Sequence, residues 1–103
     1  MEYVYELMEV SSEKHYESIA GIFTEDELDN LKTGIEHNAY DMWETVHDYI
    51  FIKKIPLNRI YPLAEEMYIY KFAGNNSYKL HKLVIGVEEC MRATNEVFGG
   101  FTT

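Results

Sequence analysis

Residues 16–31 read Tyr16-Glu17-Ser18-Ile19-Ala20-Gly21-Ile22-Phe23-Thr24-Glu25-Asp26-Glu27-Leu28-Asp29-Asn30-Leu31, and the fold class turns on where this stretch changes character. Tyr16 to Phe23 is a short run of aromatic and β-branched residues, the composition of a strand. Gly21 inside it predicts a bulge or a close backbone approach. Thr24 is an N-cap candidate, and Glu27 three residues on completes a capping box. Glu25, Asp26 and Glu27 fill a first turn where the positive end of a helix dipole favours carboxylates. The apolar positions Leu28, Leu31, Ile35, Ala39, Met42 and Val46 then recur at spacings of three and four, a helical stripe. Gly34 and Asn38 are poor helix formers, so the reading is a helix over 25–37 followed by a second helical segment over 39–47.

Working outward, residues 2–10 form a first strand, with Tyr3, Tyr5 and Leu7 on one face and Val4, Met8 and Val10 on the other. The polar run Ser11 to Lys14 joins it to residues 16–23 as a hairpin. Residues 48–55 form a third strand ended by Pro56, which cannot donate to a ladder. A connection over 57–65 leads to a fourth strand over 66–72. Ala73-Gly74-Asn75-Asn76-Ser77 is a turn, and Ser77 caps a final helix carrying Leu80, Leu83, Val84, Val87, Cys90 or Met91, Thr94 and Phe98. Gly99-Gly100 stops it. The order β-β-α-β-β-α predicts a single α+β domain over 1–103. Its antiparallel sheet has about four strands, with two or three helices on one face.

The chain has 103 residues, 18 acids, 9 Lys plus Arg and a formal charge of −9. A hydrophobic fraction of 47% excludes a disordered chain. The acidity argues against direct binding to nucleic acid or to an anionic membrane, both of which need a basic footprint. No basic leader and no long apolar stretch are visible, which predicts a cytoplasmic protein. The single cysteine, Cys90, permits no internal disulfide. The charge is uneven: residues 1–52 hold 13 acids and 2 bases, and residues 53–103 hold 5 acids and 7 bases. Lys53, Lys54 and Arg59 make a small basic group, read as guarding an edge strand or pairing with carboxylates.

No residue pattern specifies catalysis, a cofactor or a metal. The histidines His15, His37, His47 and His81 have no zinc spacing, and Cys90 has no cysteine partner. Glu44-Thr45-Val46-His47 is half of a Glu-x-x-His element with no second copy. Cys90 follows Glu88-Glu89, and carboxylates raise a thiol pKa, so it is read as a small core hydrophobe rather than a nucleophile. Nine tyrosines, six of them in predicted strands, and Trp43 are read as core with a share left for a protein-binding face.

Tyr3-Val4-Tyr5-Glu6-Leu7, Gly21-Ile22-Phe23-Thr24-Glu25-Asp26-Glu27 and Tyr49-Ile50-Phe51-Ile52-Lys53-Lys54-Ile55-Pro56-Leu57-Asn58 together resemble a group of small uncharacterised phage and bacterial domains. The resemblance covers residues 3–58 and departs in the helix, where Asn30, Gly34 and Asn38 replace an alanine-rich pattern. It implies the company of small accessory genes of phages and carries no active site.

The expected function is therefore a small acidic, non-enzymatic, phage-encoded interaction protein that inhibits or modulates a host protein by binding a basic surface on it. Anti-defence inhibitors of the anti-CRISPR type are one such class, acting in the host cytoplasm. The partner-binding residues expected are Glu13, Glu25, Asp26, Glu27 and Asp29. A homo-oligomeric structural or ligand-sensing domain, with a homodimer as one form, is the alternative. A small enzyme using carboxylates with His47 or His81 is the second alternative.

Overall fold

The computed structural model describes residues 2–11, 16–37, 48–74 and 77–98. The elements are β1 (Tyr3–Ser11), β2 (Tyr16–Phe23), a short 3-10 turn (Glu25–Glu27), α1 (Leu28–Glu36), β3 (Tyr49–Pro56), β4 (Glu66–Gly74), β5 (Ser77–Ile85) and α2 (Val87–Val97). The protein is α+β. The described strands form one five-stranded sheet in the order β2-β1-β3-β4-β5, and every neighbouring pair is antiparallel.

The expected order needs one correction: residues 77–85 are a fifth strand, and the final helix starts at Val87 rather than near Ser77. Gly74 pairs with Ser77, so the polar run at 73–77 closes a hairpin. The helical spacing of Leu80 and Leu83 comes from a bulge. Tyr70 faces Leu80 and Ile69 faces Lys82, which leaves His81 as an extra residue. Leu80 and Leu83 therefore share a face although three apart. The same device operates in β2, where Ile19 faces Met8, Gly21 faces Leu7 and Ala20 is extra. Gly21 also meets the close approach expected of it, since a Cβ there would lie 2.8 Å from the Phe23 ring.

Alternation along each strand sends two apolar sets to opposite faces of the sheet. Leu7, Ile50, Ile52 and Tyr70 pack against Leu31 and Ile35 of α1. Met8, Val10, Phe51, Met67, Ile69 and Val84 pack against Cys90 and Ala93 of α2, with Phe98 just beyond it. The helices thus sandwich the sheet, instead of lying on one face as the sequence reading had them. Thr24 is extended at the N-cap position, but its side chain makes no capping hydrogen bond. The turn is closed by Glu27 N–H donating to the Thr24 carbonyl at 3.1 Å. The segment expected to be helical over 39–47, with Met42, Trp43, Glu44 and His47, lies outside the described residues.

Lys53 and Lys54 sit on the central strand β3, so they guard no edge. They do pair with carboxylates. Alternation points them to opposite faces, where Lys53 reaches Glu17 at 3.5 Å and Lys54 reaches Glu66 at 3.2 Å. Lys54 also stands 4.3 Å over the Tyr3 ring, and Lys32 of α1 stands 4.6 Å over Tyr68.

Candidate interaction surface

Antiparallel pairing fixes which loops share an end of the sheet. Tyr5 faces Phe23 and Tyr3 faces Pro56, while Glu66 faces Ile85. The start of β1, the 3-10 turn after β2, the β3–β4 loop and the start of α2 therefore gather at one end.

The acidic turn lies there. Glu25, Asp26, Glu27 and Asp29 are all exposed, on consecutive turns of chain from the end of β2 into α1. Glu27 accepts from Asn30 Nδ2 at 3.4 Å, and no cation among the described residues pairs with any of the four. The structure thus brings these four expected residues together. Glu13, the fifth, lies outside the described residues.

The same end carries a second feature, in the segment expected to be plain connection. The β3–β4 loop carries Ile60 and Tyr61 at its tip, each 87% exposed. Its base is fixed: Leu57 N–H donates to the Glu2 carbonyl at 2.9 Å, and Glu65 N–H donates to the Lys54 carbonyl at 2.9 Å. Asn58 and Tyr61 hold φ of +59° and +56°. For a bulky aromatic this is a costly conformation. The signal was present in the sequence as an apolar pair, Ile60-Tyr61, inside the polar-and-proline segment Asn58 to Pro62.

A cleft of about 440 Å³ opens at the same end, between α2, the β3–β4 loop and the exposed ends of β1 and β3. Its walls are mostly apolar, with Val4, Ile55, Leu63, Met67 and Met91 among them, and Glu6 and Lys53 stand on the strand side. Cys90 lines its back. The thiol is buried, lies 3.9 Å from the Val84 carbonyl, and has its pKa raised first by burial and then by Glu66 and Glu89 against the pull of Lys53. The reading of Cys90 as a core residue rather than a nucleophile agrees with this setting.

His81 is exposed on β5, with its ring 6.3 Å from Tyr49, and His47 lies outside the described residues. Glu9 is the one buried acid among the described residues. It lies on the α1 face between Ser18 and Ile50, and burial raises its pKa to about 7. Tyr70, fully buried in the same cluster, reaches Glu36 Oε1 at 3.5 Å; burial and that carboxylate raise its pKa. Among the described residues no three His, Cys, Asp or Glu side chains group for a metal ion, and no helix is long and apolar enough to cross a membrane. No protein-family model, curated protein or solved structure matches the chain.

Proposed function

We propose that this chain is a small non-enzymatic interaction protein that docks on a basic, partly apolar surface of a partner protein. One observation carries the reading: a single end of the sheet presents four exposed carboxylates that no cation among the described residues pairs, and an exposed Ile-Tyr pair at the tip of a loop whose base is tied to the sheet. Carboxylates steer encounter with Lys and Arg groups, and their contribution falls with salt. Tyrosine buries a large area at little entropic cost, and the neighbouring isoleucine adds apolar area to it. A host protein whose basic groove normally holds nucleic acid is the class of target this chemistry suits, as an anti-defence inhibitor would require.

The test is affinity capture from host lysate at rising salt, comparing the native chain with a variant reversing Glu25, Asp26 and Glu27 to Lys. Loss of a basic partner, with a flatter salt dependence, is the expected result. Equal capture of the same partner by both chains at every salt concentration refutes the reading.

The sheet edges favour a second reading. β5 and β2 expose Leu80, Ile85, Ile19 and Ile22, so pairing of edges between copies would build a homo-oligomer. Light scattering separates the two, and a strict monomer at high concentration removes this one.

A further inference from the structure

We infer that the end of β5, Leu83 to Ile85, pairs with the same segment of a second copy of this chain across a two-fold axis at Val84; this rests on the reading of edge pairing and fixes its edge, register and symmetry. β5 is an edge strand of the described sheet. Gly86 N–H donates to the Glu65 carbonyl at 2.8 Å, and the register runs on as Ile85 with Glu66, Val84 with Met67 and Leu83 with Tyr68. Antiparallel pairs alternate between those that exchange hydrogen bonds and those that do not. Gly86 and Val84 therefore turn their peptide groups toward β4, while Ile85 and Leu83 turn theirs away from the sheet. The side chains of these last two stand on the α1 face with Tyr68, where Leu83 is 46% and Ile85 66% exposed.

Bulges and lysines are the usual guards of a free edge. The first part of β5 has both, in Lys79, the extra residue His81 and Lys82. From Leu83 to Gly86 there is no charge, proline or bulge. β2, the other edge, carries Glu17 and runs into Glu25, Asp26 and Glu27, so pairing it with its own copy brings like charges onto one edge. A two-fold axis at Val84 satisfies the open part of β5 with itself. Leu83 stands opposite Ile85 of the second copy and Ile85 opposite its Leu83. Each of these pairs has outward peptide groups on both sides and exchanges both N–H···O bonds, and Val84 meets its own copy as the non-bonded pair between them. The leucines and isoleucines of both chains then lie side by side on one face. Sliding by one residue sets outward groups against inward ones. Moving the axis to Leu83 or to Ile85 runs the pairing into the His81 bulge or into the start of α2. Charge favours a second copy as the occupant. A groove of about 190 Å³ between β5 and α2 is lined by Lys82, Arg92, Glu89 and Glu96, which pair as Lys82 with Glu96 at 3.6 Å and Arg92 with Glu89. A rim so balanced steers neither a strongly basic nor a strongly acidic protein, and it does not repel an identical rim turned by the two-fold.

The interface is small, so a dissociation constant of about 10–100 µM is expected. The test follows the full chain by sedimentation from about 5 µM to about 2 mM, a range that brackets that value, and by NMR of a mixture of isotope-labelled and unlabelled chains. A dimer should form, with a contact between the Val84 Hα protons of the two copies and another between Leu83 and Ile85 methyl groups. Ile85→Lys, at an exposed position, is expected to weaken the dimer by about tenfold or more, the scale of an anchoring contact. Ile85→Pro removes an N–H that points away from β4, a change that edge strands tolerate, and is expected to leave a folded monomer. Where the proline variant does not fold, Ile85→Lys decides. Ile19→Lys, on β2, is expected to leave the dimer unchanged. Three results overturn the inference while edge pairing stands: a dimer lost in Ile19→Lys and kept in Ile85→Lys, a dimer without the Val84 contact, or open assemblies that grow with concentration. A strict monomer throughout overturns the inference and the edge-pairing reading together.

Discussion

Glu9 gives the sharpest prediction, because one substitution separates its protonation from everything else. It is 4% exposed, set among Leu7 and Ile50 on the α1 face, and its carboxyl pKa rises from 4.5 to about 7 because burial disfavours the charged form. Between these two values the folded chain holds a proton that the unfolded chain has released. Stability therefore falls as pH rises across that window, by about 1.4 kcal/mol per pH unit. The interval from 4.5 to about 7 amounts to about 3 kcal/mol. The stabilisation is complete below the unfolded pKa and gone once pH has risen through the folded one. Glu9→Gln keeps the shape and removes the titration. The variant should match the native chain near pH 4 and exceed it by about 3 kcal/mol at pH 8. At about 4–8 °C per kcal/mol for a domain of this size, Tm should then differ by on the order of 10–20 °C. Urea unfolding of both proteins from pH 4 to pH 8 measures the difference, and a carbon-13 titration of the Glu9 carboxyl reads its pKa directly. A native-minus-variant difference that stays constant with pH, or a Glu9 carboxyl titrating with ordinary carboxylates, refutes the reasoning.

Three further predictions concern the frame that holds the surface. Gly86 has φ of +106° and ψ of 143° at the start of α2, and its N–H donates to the Glu65 carbonyl at 2.8 Å, so Gly86→Ala should cost about 1–3 kcal/mol in chemical denaturation. Gly21→Ala places a methyl 2.8 Å from the half-buried Phe23 ring and should displace it, at a cost of about 0.5–1.5 kcal/mol, seen as a changed Phe23 ring signal and a slightly lower Tm. Lys54→Ala removes both the Glu66 ion pair and the cation over Tyr3; about 1–2 kcal/mol is expected, and a double-mutant cycle with Glu66→Gln should return the salt-sensitive part of it.

Strand and helix identities were legible wherever period and punctuation agreed. β2 begins and ends where its composition says, and Leu28, Leu31 and Ile35 turn toward the sheet as their spacing requires. The failure at 77–85 has a definite cause. A one-residue bulge converts the period-two pattern of a strand into a gap of three, which is also a helical gap, and Ser77 after a turn imitates an N-cap. No rule of local spacing separates the two. What does is the β4–β5 pairing, a contact between segments. The acidic turn was legible because its residues are contiguous. The cleft was not, because Val4, Ile55, Leu63 and Met91 come from four elements and converge only once the strand order is known. The loop tip was missed for a different reason: an exposed apolar pair is informative only after it is known to be exposed.

The fold also accounts for part of the acidity, and the part it leaves over bears on function. Two lysines on the central strand of a sheet need compensation, and alternation gives each its own face. Glu17 supplies it on one side and Glu66 on the other. Glu89 and Glu96 pair with Arg92 and Lys82 along α2 and β5. Each of these acids has a structural task. The carboxylates at 25, 26, 27 and 29 are different: favourable interaction with the dipole needs one or two of them in a first turn, and that effect is screened and small, about 0.3–1 kcal/mol each. Four in five positions also repel one another. A chain selected for stability alone gains from replacing some of them. Their concentration at the end that also exposes Ile60 and Tyr61 is what the proposed partner, by supplying the missing cations, would account for.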